Sequence, residues 1–207
     1  MNRFFRYCPL LLAGMAVVLT AAIIVSNPGY IENFSQTSAS MYVRNLLQGK
    51  SSTGVFSGRA NDLDFSLAEP GDILLAGDQD GCYGHFTHAG IYLGQGMVLE
   101  GYVDCGVSRQ RQEHYRYYDW ACIVRVKIPR EQRQAALEYA LQQEYKTFYP
   151  IAFKDGERYW NCTKVIWAAY LRQGVDLDSM QDIWVTPDSI YRSRMIDVLT
   201  SSGEMPI

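Results

Sequence analysis

The run Thr87-His88-Ala89-Gly90-Ile91-Tyr92-Leu93, the turn Gly94-Gln95-Gly96 and the run Met97-Val98-Leu99-Glu100-Gly101-Tyr102-Val103 together read as a β-hairpin with a three-residue loop. Setting Leu93 opposite Met97 places Ile91 opposite Leu99 on one face. The other face then gathers His88, Gly90 and Tyr92 with Val98, Glu100 and Tyr102, making His88 and Glu100 diagonal neighbours. A two-residue loop would send the two side chains to opposite faces, because strand side chains alternate with period two. The apolar pairing of Ile91 with Leu99 favours the first register.

On the N-terminal side, Pro70-Gly71 marks a turn, and Asp72-Ile73-Leu74-Leu75-Ala76 is an apolar run of strand length. On the C-terminal side, Cys122 to Ile128 predicts a further strand with one wet face, and Pro129 opens a helix over Arg130 to Tyr145 with Ala136, Leu137, Ala140 and Leu141 on one side. A second helix begins beside Cys162. Val165, Ile166, Ala169 and Tyr170 form its inward stripe and Gly174 stops it. Thr186-Pro187-Asp188-Ser189 reads as a turn and helix cap. The fold class expected over 69–207 is α+β, a small antiparallel sheet packed with helices.

Ahead of this domain, Arg3 and Arg6 precede an uncharged run from Tyr7 to Ser26, long enough at about 20 residues to span a bilayer. Residues 1–26 are therefore expected to act as a signal anchor or signal peptide, placing the remainder in the periplasm or outside the cell. Residues 27–68, rich in Ser, Gly and Asn, read as tether and approach. A formal charge of -3, from 19 basic and 22 acidic residues, lacks the clustered Lys and Arg that nucleic-acid binding requires. Fifteen tyrosines suit a wet cleft as well as a core.

Cys162 sits where a nucleophilic thiol is expected. Asn161 can cap the helix, and the first-turn N–H groups favour a thiolate and can receive an oxyanion. Read alone, it is more simply a buried structural Cys. His88, flanked by small residues, gains a role from Glu100, because a carboxylate beside a His holds one tautomer and supports its imidazolium. Glu100 lies among Val98, Leu99 and Tyr102 and needs a partner there, since burying an unpaired charge is costly.

A competing chemistry is zinc. Cys82, His85 and His88 read C-x2-H-x2-H, and Cys105 could complete a tetrahedral set, but the spacing matches no strong ligand pattern, and no metal or cofactor is expected. Cys82 and Cys105 flank the same hairpin and are also the best disulfide candidates if the domain meets oxidising conditions. His114, following Arg109 to Arg111, reads as a surface residue.

The order Pro70-Gly71-Asp72-Ile73-Leu74, Thr87-His88-Ala89-Gly90-Ile91-Tyr92, Val98-Leu99-Glu100 and Asn161-Cys162-Thr163-Lys164-Val165-Ile166-Trp167 resembles the YiiX/YebB-type permuted papain-like cysteine hydrolases, relatives of the NlpC-type cell-wall peptidases. The resemblance spans about 69 to 198. It implies a circularly permuted papain-like fold in which the His precedes the Cys, with a catalytic triad of Cys162, His88 and Glu100. The Cys162 N–H is one implied oxyanion donor, and the second is left open. The implied function is hydrolysis of an amide, with peptidoglycan peptide as substrate. A lipid acyl hydrolase or acyltransferase held at the membrane by its N-terminal helix is the alternative, and a catalytically silent cell-envelope binding module is the reading from another class.

Overall fold

The computed structural model describes residues 37–206 except 55, 56, 59 and 181, together with 14, 15, 17–19 and 22. Six strands form one sheet: Ile73–Gly77 (β1), His88–Gly94 (β2), Met97–Tyr102 (β3), Gly106–Arg111 (β4), Trp120–Val126 (β5) and Ile196–Ser202 (β6). Their order is β4-β3-β2-β1-β5-β6, and every neighbouring pair is antiparallel. Four α-helices in the domain are Ser38–Leu47 (α1), Arg130–Leu141 (α2), Cys162–Leu171 (α3) and Pro187–Tyr191 (α4), the described residues among 14–22 are helical as well, and a 3-10 turn covers Gln112–Tyr117. The fold is mixed α+β.

β1 is the central strand and is buried along its whole length. Its alternation divides the core in two. Ile73 and Leu75 join Ala89, Ile91, Leu99, Cys122 and Val124 under the α2 residues Ala136, Leu137 and Ala140 and the α3 residues Val165, Ile166, Ala169 and Tyr170. Leu74 and Ala76 join Tyr92, Val98, Ala121 and Ile123 on the opposite face, closed by Leu63, Tyr115 and Tyr118. That second cover comes partly from the segment expected to be a tether. Asn61 is buried and donates through Nδ2 to the carbonyls of Tyr115, at 2.8 Å, and Tyr118, at 3.0 Å. This part of the approach segment therefore packs on the sheet.

The hairpin reaches the expected face pairing by a different route. Gly94, rather than Leu93, is paired with Met97, and the turn is the two residues Gln95 and Gly96, with φ of 53° and 76°. Two successive positive φ values are the signature of a type I′ turn. A register shift between Tyr92 and Gly94 makes Leu93 a bulge, and Ile91 still faces Leu99. One extra residue in the bulge offsets one fewer in the loop, so the alternation survives.

The helix expected over Arg130 to Tyr145 ends at Leu141. Strands β4 and β6 were not foreseen; each lies at an edge of the sheet, and β4 carries a single buried side chain, Val107. The membrane-spanning segment expected within 1–26 falls largely outside the described residues, and among those described no helix is long and apolar enough to cross a membrane.

Candidate active site

Three local features bring the predicted residues together. The β2–β3 hairpin carries His88 and Glu100. Gly90 lies directly opposite Glu100. A Cβ on Gly90 would lie 2.6 Å from the Tyr115 hydroxyl and 2.4 Å from Val98 Cγ1, so a bare position here lets Tyr115 reach the carboxylate. On the far side of β3, Gly101 makes room beside Cys162. A Cβ there would lie 2.6 Å from the Phe148 ring and in ordinary contact, at 3.4 Å, with the Cys162 backbone nitrogen, so the bare position lets Phe148 pack against the strand beside the start of α3.

α3 begins at Cys162 because Asn161 caps it. The Asn161 backbone is extended, and its side-chain oxygen accepts from the Lys164 N–H at 2.7 Å. Its Nδ2 donates to the Pro150 carbonyl at 3.1 Å, fixing the cap to the loop before it. Cys162 therefore occupies the first helical position, as the sequence implied. It is buried at 8% exposure, enough to leave the thiol open to the cleft it lines.

His88 Nε2 lies 2.7 Å from Glu100 Oε2, and both side chains are buried. The Tyr115 hydroxyl donates to the same oxygen at 2.8 Å, while Oε1 lies 3.2 Å from His114 Nε2. Nδ1 is then the His88 nitrogen left to face the Cys162 side chain, whose influence reaches this ring. Burial opposes a charge on His88, but Glu100 and the Cys162 side chain outweigh it and hold the imidazole well above its usual range. Burial likewise opposes the Glu100 charge and is outweighed by His88 and His114, so the carboxyl stays below its usual range. Aromatic rings enclose the imidazole. Tyr102 stacks on it with centroids 4.9 Å apart, and Tyr118 lies parallel at 6.1 Å.

The same centre contains residues the sequence reading missed. His114, expected at the surface, is turned inward onto Glu100 with its side chain 15% exposed. Tyr115 was not singled out at all. Both belong to the 3-10 turn, where no alternation advertises a face; the available signal was Gly90, an unfilled position beside a carboxylate that needed partners.

The alternative roles of the cysteines are corrected. Cys82, Cys105, Cys122 and Cys162 are all free, so the Cys82–Cys105 bridge is not formed. Burial raises the Cys82 thiol to about 11 and pushes Cys122 up as well, which makes both inert. Cys105 is exposed, with its sulfur 3.2 Å from Ser108 Oγ. His85 is stacked on Trp120 at 4.1 Å, and its Nε2 lies 2.9 Å from the Glu204 carbonyl oxygen. The zinc set considered from the sequence, Cys82, His85, His88 and Cys105, is therefore not assembled.

Neither a family model nor a curated protein matches this sequence. Among solved structures, the chain is similar to the crystal structure of metalloprotein yiiX from Escherichia coli O157:H7. The TM-score is 0.53 at 15% identity, over 67% of this chain and 98% of that one. The fold is YiiX-like.

The YiiX structure is that of a metalloprotein, and a metal in this chain would need ligand groups that converge. His88, Glu100 and His114 bring ligand-type atoms within 4.8 Å of one another, the one such group among the described residues. Their spacing is that of direct hydrogen bonds. Two ligands on a tetrahedral zinc with ordinary bond lengths stand roughly 3.3 Å apart, whereas His88 Nε2 and Glu100 Oε2 are 2.7 Å apart. Oε2 also already accepts from Tyr115. As arranged, the three side chains do not fit a metal.

The centre opens into a cleft of about 1400 Å³. Its lining includes Val103, Ile151, Phe153 and Ile183, each at least half exposed at 78%, 50%, 50% and 65%.

Proposed function

We propose that this chain is a cysteine hydrolase with a permuted papain-like centre, in which Cys162 is the nucleophile, His88 its acid–base partner and Glu100 the residue that orients His88. The observation that carries this reading is the placement of one buried imidazole between the Glu100 carboxylate and the Cys162 thiol. The pairing supports an imidazolium–thiolate couple. The thiolate attacks a carbonyl carbon, and the oxygen takes the negative charge against the Cys162 N–H and first-turn amides. His88 gives its proton to the leaving amine, the C–N bond breaks, and a thioester remains on Cys162. Water then adds to the thioester with His88 accepting its proton, and collapse releases the acid and the thiolate. The substrate proposed is a peptidoglycan peptide amide, met outside the cytoplasm by a chain held through its N-terminal apolar helix.

A second reading is favoured by the cleft wall. Several large apolar side chains left half exposed around one thiol suit an acyl chain better than a polar peptide, since exposed apolar patches mark interaction surfaces. On this reading the same residues hydrolyse or transfer a lipid acyl group.

The test is alkylation of the full-length protein by iodoacetamide at pH 6, mapped by mass spectrometry, for wild type, Cys162→Ala, His88→Ala and Glu100→Gln. Fast labelling at Cys162, slowed roughly 100-fold or more without His88, supports the hydrolase. Equal, slow labelling of Cys162 and exposed Cys105 in wild type, His88→Ala and Glu100→Gln alike overturns it in favour of a catalytically silent binding module. Turnover of muropeptides against diacyl lipids then separates the two substrate readings.

A further inference from the structure

The helix ahead of the sheet is turned inside out. Along α1, Ala39, Tyr42, Val43 and Leu46 recur at i, i+3, i+4 and i+7, the spacing of a stripe that a surface helix normally buries. Here the stripe is exposed, as is Leu47 beside it, and the one residue the helix buries is Ser38. What holds α1 in place is polar. The Ser38 N–H donates to Asp182 Oδ2 at 2.8 Å, Asn45 Nδ2 donates to the Gly81 carbonyl at 3.4 Å, and Thr37 Oγ1 caps the first turn by accepting from the Ser40 N–H. The helix is thus pinned at one end to Asp182 of the cleft wall and towards the other to the loop before β2, with its apolar side turned outward.

Ala39 and Tyr42 of this stripe also line the cleft that opens onto Cys162, together with the exposed rim residues Ile151, Phe153 and Ile183. Stripe and rim therefore form one continuous apolar surface. The sequence limits what can cover it. Eleven residues, 27–37, separate the apolar run over residues 7–26 from the start of α1, and at ~3.6 Å each they reach no farther than roughly 40 Å. Within that run Met15, Val17, Val18 and Leu19 are each more than half exposed, so its described part is not what covers the stripe. A short tether holds a second contact at high effective concentration, so the surface needs little affinity of its own for whatever the run is anchored in.

We propose that α1 and the cleft rim are a membrane-docking surface: with residues 7–26 in a bilayer, α1 lies in the plane of the interface, Tyr42, Val43 and Leu46 enter the acyl region, and the mouth of the cleft faces lipid. Interfacial helices take this pose when one face is apolar and the other polar. An acyl chain then reaches Cys162 past Ile151, Phe153 and Ile183 without crossing water, so of the two substrate readings the pose serves the acyl one. The inference rests on the anchoring proposed for residues 7–26 and not on any reaction at Cys162.

The test is photolabelling of the full-length protein in vesicles of phosphatidylethanolamine and phosphatidylglycerol carrying a phospholipid with a diazirine on its acyl chain, with adducts mapped by mass spectrometry. Docking predicts adducts on residues 7–26, on α1 and on Ile151, Phe153 and Ile183, and none on Leu67 and Val198, which are exposed apolar residues outside the cleft. Val43→Asp combined with Leu46→Asp should cut the α1 and rim adducts about tenfold and leave those on residues 7–26 unchanged, because charge on the apolar face opposes its burial in lipid. Should the double variant melt early, the wild-type pattern alone decides. Adducts confined to residues 7–26 overturn the docking surface and leave the anchoring intact, whether the stripe stays bare or a second copy covers it. Labelling of Leu67 and Val198 equal to that of α1 overturns it as well, because the domain then meets lipid with no preferred face. Adducts nowhere on the chain remove anchoring and docking together, while iodoacetamide labelling of Cys162 still decides the hydrolase reading.

Discussion

His88 Nε2 and Glu100 Oε2 stand 2.7 Å apart on adjacent strands of one hairpin, both out of contact with bulk water. A buried carboxylate this close holds the imidazole charged far beyond its ordinary range, to about 10. Hydrolysis, which needs that proton for the leaving group, should therefore persist through neutral pH and fall only as pH rises toward that value. Glu100→Gln removes the supporting charge, so the alkaline limb should move toward neutrality. A limb that stays in place, read from kcat/KM against pH, would show that Glu100 does not govern His88. The stability linkage runs the same way: the His88 contribution is present below the ordinary imidazole range and is lost as pH climbs through the raised value.

Tyr115→Phe removes a buried donor from the same carboxylate at unchanged ring volume. Hydrogen bonds to charged groups contribute about 1.5–3 kcal/mol, and unfolding midpoints in urea should show a loss of that order. The alkaline limb should move little, because the charge of Glu100 remains.

Gly101→Ala should impair the nucleophile more than the fold. The added methyl collides with the Phe148 ring at 2.6 Å and comes into ordinary contact with the Cys162 backbone nitrogen at 3.4 Å, so relief requires the Phe148 ring to shift beside the start of α3. Overpacking of this kind costs about 1–3 kcal/mol. A Cys162 alkylation rate unchanged from wild type would show that this contact does not place the thiol.

Much of this centre is legible in the sequence alone. The Asn161 cap, the inward stripe of Val165, Ile166, Ala169 and Tyr170, and the pairing of Ile91 with Leu99 follow from local periodicity and capping chemistry, and the structure has each of them. The bulge at Leu93 is not legible, because Gly94-Gln95-Gly96 suits a three-residue loop as well as a two-residue turn with a bulge. His114 and Tyr115 escape for a different reason: they approach Glu100 from a 3-10 turn, and what turns them inward is packing against the sheet. Strand β4 is hidden because an edge strand needs only one buried side chain to hold its place.

Asn161→Ala should cost about 1 kcal/mol, the usual loss for an N-cap. It also frees the loop at Pro150. Asn161→Asp should recover the cap in a thermal melt but not the bond to Pro150, so a variant as destabilised as Asn161→Ala would argue that the loop contact dominates.

The two substrate readings differ at the cleft rim. Replacing Phe153 and Ile183 with Asp should reduce turnover or binding of diacyl lipid severalfold while iodoacetamide labelling of Cys162 continues, because a small electrophile makes no use of the wall. Equal loss of lipid and muropeptide turnover would favour damage to the cleft over acyl recognition.

Chain order has a consequence for a growing polypeptide. His88 and Glu100 lie on one hairpin, and hairpins of this kind close within microseconds of becoming available. Cys162 joins them only after β4, β5 and α2 have been made. A nascent chain therefore holds its imidazole and carboxylate before Cys162 exists, and a product truncated anywhere before α3 lacks the proposed nucleophile altogether. On the proposed mechanism, the order in which the ribosome delivers the parts withholds reactivity until the last of them is made.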